Sequence, residues 1–180
     1  MRILGLDPGS RRTGFGVVDA AGNHVRCVLH GHVSPPARLD LAQRLHAIAQ
    51  RVGELIDEHA PECVAVEEAF DHESVRSTLV LGHVRGALLV TAAARGVALA
   101  EYSPREVKLS VTGNGGAAKD QVAFMVRRLL ALGGPLQADA ADALAVALCH
   151  HHRVRLRAPA RVASAAARTL EALLERRRAT

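Results

Sequence analysis

The chain predicts an α/β fold: a mixed five-stranded sheet with helices on both faces. Three observations point there. The opening segment, to about residue 33, reads as an antiparallel meander of short strands with turn-forming residues between them. From about residue 38 the apolar positions switch to a spacing of three and four. After that, helical and extended stretches alternate until the last strand, and only helices follow.

The elements follow in order. Residues 2–7 read as a buried strand. Gly9 and the run Gly14-Phe15-Gly16 break the chain, and Val17-Val18 begin a second strand that turns at Ala21-Gly22-Asn23. Residues 25–33 make the third. Leu41, Leu45, Ile48, Val52 and Leu55 mark one apolar stripe of a helix over about 38–59, which Pro61 ends. Cys63 to Glu67 is a short strand, with Val64 and Val66 on one face and Ala65 and Glu67 on the other. A helix over about 73–94 and a strand over 97–102 come next. Ser103-Pro104-Arg105-Glu106 then starts a helix, with a serine N-cap, proline at the first position and a glutamate that completes a capping box. The Gly113-Asn114-Gly115-Gly116 loop leads to an amphipathic helix over 119–132, which Gly133-Gly134-Pro135 terminates. Residues 138–151 make the last core helix. The basic stretch from Arg153 to Arg161 contains Pro159 and reads as a linker, and residues 162–178 form a final helical tail.

At 180 residues and 49% hydrophobic composition the chain suits one globular domain with a short appendage. Only four residues are aromatic, so the core must be alanine, valine and leucine. The formal charge of +5 favours a polyanionic partner, and ordinary solubility charge accounts for it equally well. Cys27, Cys63 and Cys149 have no paired spacing, which argues against a disulfide framework and for a reducing, cytoplasmic setting. The start lacks a secretory apolar region, and no apolar run is long enough to span a membrane. Of the 23 basic residues only Lys108 and Lys119 are lysines. A chain so biased toward arginine keeps lysine where a compact ammonium does what a guanidinium cannot, or by chance on a surface.

Four carboxylates carry the chemistry. Asp7 and Glu67 each close an apolar strand. Asp139 and Asp142, three apart, open an alanine-rich helix and project from one face of its first turn, where the helix dipole favours anions. Either aspartate alone reads as an ordinary helix-start acid. In an otherwise apolar helix, however, both need partners. Glu68 and Glu73 compete with Glu67, but strand alternation turns Glu68 to the opposite face. A nest of acids is costly unless a cation fills it, and an all-carboxylate donor set suits Mg²⁺ or Mn²⁺. Such ions serve phosphodiester chemistry, with Lys108 or Lys119 available to neutralise the transition state. Cys149-His150-His151-His152 has no second pair at zinc-ligand spacing and reads as a helix end, with room for one histidine to lie near the metals.

Six segments together resemble one family. They are Leu6-Asp7-Pro8-Gly9-Ser10, Thr13-Gly14-Phe15-Gly16, Val66-Glu67-Glu68-Ala69-Phe70, Leu81-Gly82-His83-Val84-Arg85-Gly86, Arg105-Glu106-Val107-Lys108 and Gln137 to Ala145. In this order, from residue 2 to about 152, they resemble the RuvC Holliday-junction resolvases. The resemblance implies an RNase H-like fold over residues 1–153, with 154–180 as basic linker and tail, and a homodimer that nicks four-way DNA junctions in pairs. It implies dependence on Mg²⁺, two ions per site, with Mn²⁺ as a substitute, and a branch-migration motor complex as partner. It places the catalytic, metal-holding tetrad on Asp7, Glu67, Asp139 and Asp142, and the basic active-site residues on Lys108 and Lys119. Three departures cluster around the DNA-contact loop and bear on sequence preference more than on catalysis: Asp71-His72-Glu73-Ser74, Val84 before Arg85-Gly86, and the glycine-rich loop 112–116.

Phe70 follows Glu67 by three residues in a polar loop. Exposed aromatics beside such sites stack on unpaired bases, and the alternative is a plug that anchors the loop. Arg76, Arg85, Arg105, Arg127 and Arg128 are candidate phosphate contacts. The apolar residues Val75, Leu79, Leu81, Val84, Leu88 and Leu89 make the 73–94 helix the expected dimer surface. Two rival readings are an actin-like nucleotide-binding enzyme, which needs a second domain, and a junction-binding protein without catalysis, which the complete tetrad disfavours.

Overall fold

Strand alternation and helix periodicity divide the apolar residues into two cores, one on each face of a central sheet. The computed structural model describes residues 1–9, 11–68 and 74–157. The elements are β1 (Arg2–Asp7), β2 (Thr13–Ala21), β3 (His24–Val33), α1 (Leu41–His59), β4 (Cys63–Glu67), α2 (Val75–Ala93), β5 (Ala98–Tyr102), α3 (Pro104–Thr112), α4 (Lys119–Leu129) and α5 (Ala138–Arg157). The sheet order is β3-β2-β1-β4-β5. β1 pairs antiparallel with β2 and β2 with β3, whereas β4 lies parallel to both β1 and β5. This is the expected mixed five-stranded sheet.

Alternation along β1 sends Leu4 and Leu6 to one face, where they meet Val64, Val66, Ile48, Val52, Leu55, Val84 and Leu88 under α1 and α2. Ile3 goes to the other face, with Ala65 and the buried side of α5, α3 and α4. Each fully buried leucine, isoleucine or valine contributes about 1.5–3 kcal/mol, so this two-sided apolar packing dominates the stability. Arg95 ties α2 to α1 by lying across Gly53 and donating to both carboxylate oxygens of Asp57, at 2.9 and 3.1 Å.

The cap of α3 is the one its sequence signals. Ser103 Oγ accepts from the Glu106 amide, and the Glu106 carboxylate accepts from the Ser103 amide at 3.1 Å. Asp40 caps α1 in the same way with Gln43, so that helix begins at Leu41 rather than near 38.

Two further boundaries differ from expectation for physical reasons. β2 begins at Thr13, so Gly14-Phe15-Gly16 lies inside the strand and is not a break. A Cβ on Gly14 would stand 2.0 Å from the Asp139 carbonyl oxygen, and one on Gly16 would stand 2.6 Å from a Leu144 methyl. These glycines are there to let α5 descend onto the sheet. α5 itself runs to Arg157, past the expected end at 151, and its added turn is held against α3 by His152 meeting Ser110 and by Arg153 donating to Glu106. Pro159 and the basic tail lie outside the described residues.

Candidate active site

Two adjacent parallel strands end together. Leu6 pairs with Val66, so Asp7 and Glu67, one residue further on, emerge side by side at the same sheet edge. Both belong to the α5 face by alternation, and Glu68 does not: its amide continues toward the Tyr102 carbonyl, 2.8 Å away. Across this edge comes the start of α5, held down by Gly5, Gly14 and Gly16 and fastened by a 2.7 Å hydrogen bond between His32 and Gln137.

The result is a cleft of about 130 Å³ lined by Asp7, Glu67, Asp142, Lys108 and Lys119, with Pro104, Val107, Val122 and Ala145 as apolar walls. Strands β1 and β4 and helices α3, α4 and α5 thus bring three of the four predicted acids and both lysines together. The fourth acid, Asp139, stands outside the cleft wall. Its carboxylate faces Arg12 at 3.8 Å, and its charge still reaches Asp7.

The electrostatics are those of a cation-hungry site. Burial, then the charges of Glu67 and Asp142, push the Asp7 carboxyl well above the usual carboxylate range, against the pull of Lys119. Burial and the Asp142 charge push Glu67 up to about 7, with Lys119 and Lys108 opposing. Lys119 Nζ donates to Asp142 Oδ2 at 3.2 Å, and this carboxylate raises the lysine's own proton affinity. Three hard oxygen donors exceed the lysine charge available to them, a composition that fits a divalent ion of the Mg²⁺ or Mn²⁺ type. Among the described residues no three acid, imidazole or thiol groups are already arranged as a metal shell.

The remaining candidates fall elsewhere. Phe70 and Glu73 lie outside the described residues. Arg76 is exposed on the first turn of α2. Arg105 is exposed too, its stem close over Gly115. Arg85 spends its guanidinium on Glu101 of β5, with Nε donating at 2.6 Å. The three histidines do not converge on one point: His150 meets Tyr102 Oη at 2.8 Å, His152 meets Ser110 Oγ at 3.0 Å, and the buried His151 has its ring beside that of His152. None lines the cleft. Arg12 is the residue that sequence reasoning missed. Its signal was its place, closing the loop that Asp7 opens.

Comparison with known proteins gives the family. The family model for crossover junction endodeoxyribonuclease RuvC matches residues 3–150. The RuvC of Hyphomonas neptunium is 49% identical over 156 residues, 87% of this chain and 93% of that one. That of Bordetella avium is 49% identical over 152 residues, 84% of each chain. The structure of Thermus thermophilus RuvC superposes with a TM-score of 0.79 at 37% identity, covering 87% of this chain and 96% of that one. The same protein in complex with Holliday junction substrate gives 0.81 over the same shares at 37% identity. The yeast mitochondrial Holliday junction resolvase, at 14% identity and a TM-score of 0.60 (84% of this chain, 79% of that one), shares the fold. With the match spanning every strand and the acidic cleft, the chain belongs to the RuvC family of crossover junction endodeoxyribonucleases.

Proposed function

We propose that the Asp7–Glu67–Asp142 cleft of this Holliday-junction resolvase is its nuclease centre, that it works with Mg²⁺, and that it nicks opposed strands in pairs. The observation that carries the reading is the convergence of two strand-end acids with Asp142 and two lysines in one partly buried cleft. The Thermus thermophilus relative in complex with Holliday junction substrate, at a TM-score of 0.81, supports the same substrate here.

Asp7, Glu67 and Asp142 would hold the ions, with Asp139 adding charge from the rim. Bound there, divalent cations would supply Lewis-acid stabilisation of the phosphate and a more acidic water. The chain's own residues do the rest. The apolar walls of Pro104, Val107 and Val122 thin out water and strengthen every charge interaction within. Lys119 and Lys108 present compact positive charge to the cleft, where the phosphate gains negative charge on its way through the transition state. The loss of protons from Asp7 and Glu67 accompanies loading of the site.

Paired nicking asks for two copies related by a two-fold axis. On α2, Val84 and Leu88 are buried in this chain's own core, so they leave the dimer surface expected of them. Val75, Leu79 and Val90 are 79, 61 and 69% exposed, and Gly82 and Gly86 open onto free space beside them. Spaced by three and four, they form one apolar stripe that a second copy would cover. A branch-migration motor is the further partner in this reading. Three free cysteines support a cytoplasmic setting, and among the described residues no helix is long and apolar enough to cross a membrane.

The test is strand-by-strand mapping of nicks in a synthetic four-way junction, with Mg²⁺ and with chelator. Symmetrical nicks that need the ion support the reading. Binding without nicking would leave a junction-binding protein instead.

A further inference from the structure

Beside the nuclease cleft, on the far side of Arg12, the chain builds a second concavity. Thr13 at the start of β2 pairs with Val33 at the end of β3, so the close of the β1–β2 loop lies against the segment leading into α1. Arg11 and Arg12 come from the loop, residues 34–37 from the connection, and Arg44 from the first turns of α1. Together they enclose about 670 Å³.

The lining is one-sided in charge: among the described residues it holds three guanidinium groups and no carboxylate. The acid paired with Arg12 is Asp139 at 3.8 Å, too long to spend the guanidinium's directional donors. Arg44 carries the stronger signal, because its Nε is buried and has no hydrogen-bond partner among the described residues. A charged N–H out of water and unpaired is costly, and drawing the guanidinium outward onto an anion in the pocket removes that cost. Pro35 and Pro36 add a wall with no amide donors, leaving the arginines to define what binds.

We infer that Arg11, Arg12 and Arg44 form a phosphate-binding pocket for the backbone of the DNA arm that enters beside the catalytic cleft. Planar guanidinium forks match phosphate oxygens two at a time, and a pocket of this size admits a stretch of sugar–phosphate backbone. Arg12 belongs to both sites, facing Asp139 on one side and the pocket on the other, so DNA held here is placed with respect to the acids. The inference rests on the junction-nuclease reading above.

The test measures affinity of the full chain for a four-way junction in chelator, across a range of salt concentrations. Every phosphate that is no longer neutralised reduces the slope of log affinity against log salt by about 0.9. The Arg11→Gln/Arg44→Gln variant is expected to lose between one and two such units and to bind roughly tenfold more weakly at moderate salt. Arg44→Lys, which keeps the charge, is expected to recover most of the slope. Arg26→Gln, whose guanidinium is on Asp19 at 3.0 Å, is expected to leave it unchanged. Arg11→Gln alone, at an exposed loop position, reads the pocket if the Arg44 variants lose their fold by circular dichroism. Unchanged slopes in the pocket variants, with the wild type binding and nicking normally, overturn the pocket and leave the nuclease reading standing. An equal loss in Arg26→Gln overturns it as well, as a general charge effect. A wild type that binds no junction overturns both.

Discussion

Gly5 of β1 and Ala143 of α5 approach so closely that a Cβ on the glycine would stand 2.1 Å from the alanine's carbonyl oxygen. The same atom would be 2.8 Å from the Ala147 amide nitrogen, so neither neighbour is a side chain that could rotate away. Gly5→Ala is therefore expected to push α5 off the sheet, cost about 1–3 kcal/mol and lower Tm by roughly 3–10 °C. It should also slow nicking, because Asp142 rides on α5. Thermal unfolding monitored by circular dichroism checks the first effect; an unchanged Tm would mean that the helix does not sit where described.

Lys119 gives a second prediction. Its ammonium reaches Asp142 yet its side chain is 79% exposed, as suits a charge shared between the cleft and incoming DNA. Lys119→Gln should lower the nicking rate by about 10²–10³ and junction affinity by less than about tenfold. Single-turnover cleavage and equilibrium binding separate the two; a loss confined to affinity would make Lys119 a phosphate contact only.

Stability should fall with rising pH while the protein is metal-free. Glu67 holds its proton to about pH 7 in the folded chain, whereas the unfolded chain releases it near the ordinary glutamate value of 4.5. Between these values the folded state binds more protons, so each step upward in pH favours unfolding, by up to about 3 kcal/mol in total. Asp7, displaced in the same direction, adds to the effect. Asp19 beside Arg2 and Glu106 in its Ser103 cap are displaced downward, and their stabilisation is lost only in more acidic solution. Tm in chelator is thus expected to decline from about pH 5 to about pH 7.5, Glu67→Gln to flatten the decline, and Mg²⁺ to raise Tm more at about pH 8 than at about pH 5.5. A Tm that climbs over that range in chelator would contradict the account.

The apolar stripe on α2 predicts an assembly. Leu79→Asp, at a position 61% exposed, should leave the subunit fold and its Tm nearly unchanged and convert the proposed dimer to monomers in sedimentation. Sedimentation of the wild type as a monomer at micromolar concentration would remove α2 as a dimer surface.

What could be read from the residues alone follows the physics of each signal. Period-two alternation along residues 63–67 put Glu67 on the face opposite Val64 and Val66, and the register of β1 with β4 brings it beside Asp7. The Ser103 capping box started α3 where expected, because a cap is a local signal. Gly14 and Gly16 misled, since a glycine admits both a turn and a close helix approach and only the position of α5 decides between them. The placement of Asp139 at the rim, the Arg85–Glu101 pairing and the Arg44 pocket depend on interactions between elements far apart in sequence. No local pattern encodes those.

The central claim is that a partly buried acid at the end of β1 serves chemistry rather than binding. The most direct measurement compares Asp7→Asn with the wild type on one four-way junction, scoring affinity and nicking together. The account predicts affinity within a few-fold of wild type and cleavage reduced by about 10³ or more, since the variant keeps the shape of the side chain and removes its charge. Cleavage by Asp7→Asn at the wild-type rate would contradict it.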